Sequence, residues 1–504
     1  VTSQMSQTVL ALDLGTSRVK ALLLAEDGTI QAKTEATYPV TTGPGGQVEQ
    51  DPDDWSRAVV TAIRKLAKQA VKYWPPVLCS VTGQMHGLVL LGKSGQPARP
   101  AIICSDFRAQ QEAQSIASRL SPERILQLTG NPALGIFPGP KVLWIQRHEP
   151  SIYRSVKKLL LPKDYVGFVM TGEIVTDHSD ASGTMLYNIH SKAWDRELCE
   201  ACEVPNDWLP LIISARELRG RVTKSFADQS GLRAGTPVLV GAGDLSTTVI
   251  GTGITGSGQV GVSLGTAGIV FRITDGLREE TLGRVFNFRH ALPLSLISMG
   301  SCPAAGFSIK WFENAILGGK ALTADSDTER RGEQLLEKHS LYFLPFLLGA
   351  GSPSMDYKQR GAFIGLTHYH TGRDLRRAIM EGVALSLRSS YELLIRGSDD
   401  VQEIRVCGGG SYDKEWVAIL AGVLGRPVLT LEEPDAAVLG AAVLAGVAAS
   451  WWESIEEAVH TCVRVREAVE PPLGATEIFS RAFRKYCRLC ELLDILQREG
   501  FWES

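Results

Sequence analysis

The chain has 504 residues, of which 44% are hydrophobic and 21% charged, with a formal net charge of −3. That length implies more than one domain, roughly two to four, and the composition is that of a globular protein with substantial cores. A balanced charge with no basic run interleaved with aromatics excludes a nucleic-acid surface. The nine cysteines form no disulfide framework. Their two CxxC pairs, Cys199/Cys202 and Cys487/Cys490, lie too far apart for a zinc site, so they read as ordinary thiols of a reducing compartment. Asp13 and Gly15 interrupt any early apolar run, which excludes a secretory signal, and Met5 reads as a native start with Val1 to Gln4 as an extraneous remnant before it. Ala436 to Trp452 falls short of the ~20 apolar residues of a membrane span and is expected to be a buried helix. These features together point to a cytoplasmic protein.

Thr8 to Leu12 is a short apolar β-rich run, Asp13-Leu14-Gly15-Thr16-Ser17 a turn, and Val19 to Leu24 a second strand closed by the hairpin signal Asp27-Gly28. Asp51-Pro52 opens a helix, Asp51 as N-cap, with the apolar face Val59, Ile63, Leu66, Ala70. Gln259 to Ala267 repeats the strand and the Leu-Gly-Thr turn of residues 10 to 17, which predicts a duplicated fold with facing halves. Thr371 and Asp374 form a capping box for a helix to about Leu394. The strand Ile404 to Cys407 runs into Gly408-Gly409-Gly410 and a helix from about Asp413 to Leu424. This alternation predicts an α/β protein. The boundary falls near residue 253, giving domains 1–253 and 254–504 with a cleft between them.

Four features converge on phosphoryl transfer. The two turns containing Gly15-Thr16-Ser17 and Gly265-Thr266 offer backbone N–H groups and hydroxyls to a phosphate tail from opposite sides. Either alone is equally well an ordinary turn. Asp13 beside the first is placed to hold Mg²⁺ through water, and Lys20 to add positive charge. Gly408-Gly409-Gly410, between strand and helix, permits close approach of a ligand to the backbone. Asp244, after Gly241-Ala242-Gly243, is a candidate general base for an attacking hydroxyl, or else a helix N-cap. As an unperturbed carboxylate near pKa 3.9 it would be ionised at pH 7. Gln84 and His86, in Gly83-Gln84-Met85-His86-Gly87, suit sugar hydroxyls, and Asp106 with Arg108 either joins them or forms a solvated loop pair.

These stretches together resemble the FGGY carbohydrate kinases over nearly the whole chain. Glu49 to Trp55 is similar to that family's EQDPxxW, and Gly83 to Gly87 to the GQMHG of its xylulokinase branch. Lys141 to Trp144, Leu161 to Tyr165, Ser179 to Thr184, Gly361 to Leu366 with Asp374 to Glu381, and the Ala/Gly-rich Ala436 to Ala445 resemble further family segments. The resemblance implies two ribonuclease-H-like, actin-type ATPase domains that close on ATP–Mg²⁺ and a sugar. It implies Asp244 as catalytic base, Met85 and His86 as sugar contacts, and Thr266, Gly409, Gly410 and Lys414 on the nucleotide side. Three positions depart from the xylulokinase pattern. Leu245 stands for a usual Asn, Cys104-Ser105-Asp106 for WND, and Gly349 to Pro353 for an acidic GERTP loop.

The expected activity is ATP-dependent phosphorylation of a ketose, D-xylulose to D-xylulose 5-phosphate by default. Ribulose, glycerol or gluconate are alternative acceptors, and an actin-like ATPase module without a sugar is the alternative class. The family resemblance also suggests a homodimer. No membrane or nucleic-acid partner is expected.

Overall fold

The computed structural model describes residues 7–319, 341–397 and 401–501. The proposed start at Met5 lies outside them. The first half is built on a six-stranded sheet of β1 (Thr8–Leu14), β2 (Arg18–Ala25), β3 (Ile30–Thr37), β4 (Leu78–Gly83), β5 (Leu218–Arg221) and β6 (Pro237–Leu239), in the order β5-β6-β4-β1-β2-β3. β1, β2 and β3 are antiparallel, β1, β4 and β6 run parallel, and β5 closes the edge antiparallel. Central β1 is buried at every position, as a strand covered on both faces requires. Edge strand β3 sets the polar Gln31, Lys33, Glu35 and Thr37 against Ala32, Thr34 and Ala36 on its other face.

The second half repeats this topology. β7 (Gln259–Leu264), β8 (Gly268–Thr274), β9 (Phe286–Arg289), β10 (Leu296–Cys302), β11 (Glu403–Cys407), β12 (Val428–Leu431) and β13 (Val465–Val469) form a sheet ordered β9-β10-β8-β7-β11-β12-β13. Pairing is antiparallel through β7, β8 and β10, parallel through β7, β11 and β12, and antiparallel at β13. In position and direction β10-β8-β7-β11-β12 matches β3-β2-β1-β4-β6; each sheet then ends in an antiparallel edge strand, which precedes β6 in the chain in the first half and follows β12 in the second, and β9 is an added edge strand. The repeated Leu-Gly-Thr turn therefore marks a duplicated sheet.

Parallel neighbours need crossover connections, and the helices fall there. α1 (Pro52–Gln69) starts where expected, the Asp51 side chain accepting the Asp53 N–H at 2.9 Å. It buries Trp55, Val59, Ile63 and Leu66. α2 (Pro138–His148), α3 (Pro162–Thr171) and the short α4 (His178–Ala181) lie beside the first sheet's outlet. α5 (Asp244–Gly251) follows β6, and α6 (Gly372–Ile395) carries the capping box of Thr371 and Asp374. α7 (Lys414–Leu424) and α8 (Ala436–Ala448) follow β11 and β12.

α8 has no polar face, so it needs apolar neighbours on several sides. It finds them across the duplication. Val438, Leu439, Ala442 and Val443 share a core with Val9, Ala11, Leu22, Leu24 and Leu78 of the first sheet. α5 and α8 cross at backbone contact: a Cβ on Gly251 would collide with the Ala436 carbonyl, and one on Gly440 with that of Thr247. On the opposite side, Phe271, Phe286 and Phe288 of the second sheet share a core with Met85, Phe137 and Leu143. Asn131 and Asn287 exchange hydrogen bonds of 2.7 and 2.8 Å there.

Candidate active site

The outlets of the three parallel strands β1, β4 and β6 bring the first half's chemistry to one edge. Asp13 on β1 is in register with Thr82 on β4, and Gly83 bridges Gly243. The Thr82 hydroxyl donates to the Ala242 carbonyl at 2.7 Å and lies 2.8 Å from the Thr247 hydroxyl. Asp13, the segment Gln84 to His86, and Asp244 thus converge although more than 200 positions separate the first from the last.

Asp244 is the first residue of α5, whose N-cap is Gly243 without a side-chain cap bond. Its carboxylate accepts the backbone N–H groups of Leu245 and Met85, but burial, then the charge of Asp13, outweigh them and push its pKa up to about 7. The ordinary carboxylate anticipated from sequence is therefore a tuned one. Asp13 is buried too, and its oxygens accept no hydrogen bond from any described residue. Burial raises it, Lys20 lowers it and Asp435 raises it, for a net value of about 6.

His86 has a left-handed backbone, φ 64°, and its ring lies against Phe137 and Phe288. Its Nδ1 is 2.8 Å from the Gly183 carbonyl. A carbonyl only accepts, so Nδ1 carries the proton and Nε2 is left as an acceptor. Burial pushes the ring's pKa down to about 4 and keeps it neutral. The fully buried Lys141 donates to the His86 carbonyl at 2.7 Å and to that of Ile103 at 2.9 Å.

Gln84 faces inward. Its amide donates to Gln50 Oε1 at 2.9 Å, Trp55 donates to the same oxygen at 3.1 Å, and Gln50 donates to the Thr16 carbonyl at 2.6 Å. Tyr38 donates its hydroxyl to the Gly15 carbonyl. This chain fastens the carbonyl side of the first turn and leaves Thr16 and Ser17 exposed. The second turn is fastened likewise: Ala305 and Phe307 donate N–H bonds of 3.1 and 3.0 Å to the Thr266 carbonyl, and Thr266 is exposed. Gly408 and Gly410 abut Leu264, the residue before Gly265, while a Cβ on Gly409 would meet nothing within 4 Å. The triple-glycine turn therefore sits against the second Leu-Gly-Thr turn, with Lys414 exposed at the start of α7.

Two anticipated residues are placed differently from the rest. Asp106 is not in a solvated loop: it is 0% exposed, and its carboxylate accepts the Val48 N–H at 2.6 Å and the Arg108 guanidinium at 2.6 to 3.0 Å. Lys20 is bonded across the halves to Asp435 at 2.6 Å. Sequence reasoning gave no role to Gln50 or Lys141, although both lie in the motifs that carried the family resemblance. It also missed the buried set behind Asp244, where Lys163 meets Asp164 at 2.6 Å, Asp177 at 3.1 Å and Asp180 at 3.5 Å. Asp177 accepts from the Ser179 hydroxyl at 2.5 Å, and Ser179 Oγ accepts the Gly243 N–H at 2.9 Å, which fixes the backbone just before Asp244.

The arrangement offers a carboxylate whose pKa lies near 7, a second carboxylate without hydrogen-bond donors, a neutral imidazole acceptor and two anchored turns with exposed threonines. Residues 8–251 match the N-terminal domain of the FGGY family of carbohydrate kinases, and residues 260–449 match its C-terminal domain. The chain belongs to the FGGY carbohydrate kinases. The xylulose kinase of Bacillus subtilis (strain 168) is 32% identical over 487 residues, covering 95% of each chain. A solved structure of a xyloylose kinase from Brucella ovis superposes with a TM-score of 0.82 at 30% identity, covering 97% of this chain and 100% of that one. The gluconokinase of Bacillus subtilis (strain 168) is 26% identical over 449 residues, covering 87% of each. This FGGY chain is thus a sugar kinase of the two-domain, actin-like ATPase type, acting on a small-molecule sugar with ATP. Among the described residues no helix is long and apolar enough to cross a membrane, and no group of three His, Cys, Asp or Glu side chains could hold a metal. Both CxxC pairs are free thiols.

Proposed function

We propose that this kinase transfers the γ-phosphoryl group of ATP to a ketose hydroxyl, with D-xylulose the first substrate and D-xylulose 5-phosphate the product. The observation that carries the reading is the meeting of Asp13 and Asp244 at the outlets of β1 and β6, beside His86. Asp244 takes the proton of the attacking hydroxyl as the new O–P bond forms and the bond to the leaving ADP oxygen breaks. A base near pKa 7 is well matched to that task. His86 Nε2 accepts a sugar hydroxyl, and Met85 packs beneath the sugar. Thr16, Ser17, Gly265 and Thr266 hold the phosphates, and Gly409, Gly410 and Lys414 face the rest of the nucleotide.

The donor-free, buried carboxylate of Asp13 fits a hydrated Mg²⁺. Such an ion supplies charge neutralisation at the transferring phosphate. Most nucleotide contacts fall to the domain 254–504, with Thr16 and Ser17 contributed by 1–253, which also makes the sugar contacts. The test is ADP release with D-xylulose, D-ribulose, glycerol and gluconate, on the unmodified protein and on Asp244→Ala. We expect sugar-dependent turnover, greatest with D-xylulose, and a loss of about 10²–10⁴-fold in the variant. Turnover that ignores every sugar would overturn the reading.

A further inference from the structure

On the sugar side the two halves meet through several rings: Phe288 lies against His86, Phe286 against Phe137, and a further aromatic pair has each of its rings mounted on an anchored loop. Phe107 lies between Asp106 and Arg108. Besides the contacts of Asp106, Arg108 reaches Glu49 at 2.7 Å and lies over the Trp144 ring at 4.8 Å. The backbone that displays Phe107 is therefore held from both sides. Cys104, in the same loop, contacts Gln84 at 3.9 Å, so the loop borders the segment that carries His86.

Facing it is Tyr357 of the second half, ring centroids 5.2 Å apart at 41°. Tyr357 and Met355 pack with Phe107 against the core that includes Met85 and Leu245. The segment from Gly349 to Gln359 is tightly wound. Ala350 donates to the Asp356 carbonyl at 2.9 Å and Met355 to that of Gly351 at 2.7 Å. Gly349 has φ 83°, and a Cβ there would collide with the Tyr357 backbone.

This segment is tied to the phosphate turn. The Ser352 N–H donates to the Ser301 carbonyl at 3.0 Å. Ser301 lies on β10, paired with Ile269 on β8, the strand that leaves the Gly265-Thr266 turn. Just past β10, Ala305 and Phe307 hold that same turn. A shift of the turn on taking up phosphate would be carried along β8 and β10 to Ser352, and from there to Tyr357.

We propose that Tyr357 is a positioning residue, the second half's side of a clasp with Phe107 that closes the sugar end of the cleft when nucleotide is bound. The proposal rests on the sugar-kinase reading above. The clasp makes the effects of nucleotide and sugar reciprocal, each tightening the binding of the other. It acts on sugar affinity through Phe107 and its loop and takes no part in proton or phosphoryl movement.

The experiment compares the unmodified protein with Tyr357→Ala, Tyr357→Phe and Phe107→Ala. Sugar affinity is measured with and without a non-hydrolysable ATP analogue, alongside kcat and KM. An aromatic pair of this kind corresponds to roughly two- to tenfold in an equilibrium constant. Tyr357→Ala should lose that much of the analogue's enhancement of sugar binding and raise the sugar KM with kcat little changed. Phe107→Ala should match it, and Tyr357→Phe should behave as the unmodified protein. If Tyr357→Ala misfolds, Tyr357→Leu takes its place. Small-angle scattering with the analogue alone needs no sugar, and so separates failure of the clasp from failure of the substrate reading. Less compaction in the alanine variant supports the clasp. A folded alanine or leucine variant with full compaction and full enhancement overturns it.

Discussion

The value of about 7 for Asp244 makes a prediction about pH. Two causes set it: burial, which disfavours the charged form, and the carboxylate of Asp13 nearby. Only the ionised base accepts the hydroxyl proton, so kcat/KM for the sugar, with sugar and nucleotide both below saturation, should rise with pH and level off above about 7. One unit below the pKa about a tenth of the base is ionised, so the rate constant at pH 6 should be roughly a tenth of the plateau. Saturating MgATP should move the limb to lower pH, because added positive charge near Asp13 favours both carboxylates. The assay is coupled ADP release between pH 5.5 and 9, with a ¹³C-carboxyl NMR titration of the nucleotide-free protein to observe Asp244 without turnover. The sign for stability runs the other way. Both carboxyls are raised on folding, so their contribution is full below the unfolded pKa near 4 and is lost as pH rises through 6 to 7. A profile flat down to pH 5.5 with Asp244 titrating near 4 would refute the reasoning.

Two further outcomes are expected. Gly440→Ala inserts a methyl where the Thr247 carbonyl and the Gly251 nitrogen, 2.8 Å from the added atom, already sit. It should cost about 1–3 kcal/mol in thermal stability and, by moving Asp244 about 1 Å, lower kcat/KM by up to about 10²; differential scanning calorimetry and the ADP assay check both. Leu245→Asn adds a hydrogen-bonding side chain beside the base and should raise kcat/KM for D-xylulose by at most about tenfold. If D-xylulose is already the best of the sugars and the variant does not improve on it, Leu245 is a neutral replacement.

What could be read from sequence was local. The strand-turn-strand signature at Leu10 to Ser17 and at Gln259 to Ala267 predicts two like sheets because β1 and β7 open the two topologies in the same way. The caps at Asp51 and Thr371 are legible because a helix start depends on a few adjacent residues. The seating of α8 was not legible. An apolar run announces burial but not its partner, and the partner is the sheet of the other half. Of the two readings open for Asp106, the solvated one fails, because a carboxylate in a polar loop looks exposed until Val48, distant in sequence, supplies a donor. Asp244 was located by its glycines, but its pKa depends on burial and on Asp13, neither of which is a property of the neighbouring letters.

The duplication also places two carboxylates at comparable points, and the folded chain treats them oppositely. Asp244 opens α5 after β6; Asp435 caps α8 after β12. Burial would raise both. At Asp435 it is more than offset by Lys20 and Lys33, bonded at 2.6 and 2.9 Å, and the carboxyl is held below its ordinary value. Both lysines come from the first sheet, β2 and β3, so this pairing joins the halves beside the α5–α8 crossing. No lysine or arginine pairs with Asp244 among the described residues, and Asp13 adds a like charge. One carboxylate is thereby spent on holding the halves together and the other is kept close to neutrality. The difference lies in the two lysines, because the passage from parallel strand to helix is shared by the two positions. A duplicated scaffold thus carries two carboxylates of opposite character, set by where the first sheet's lysines point.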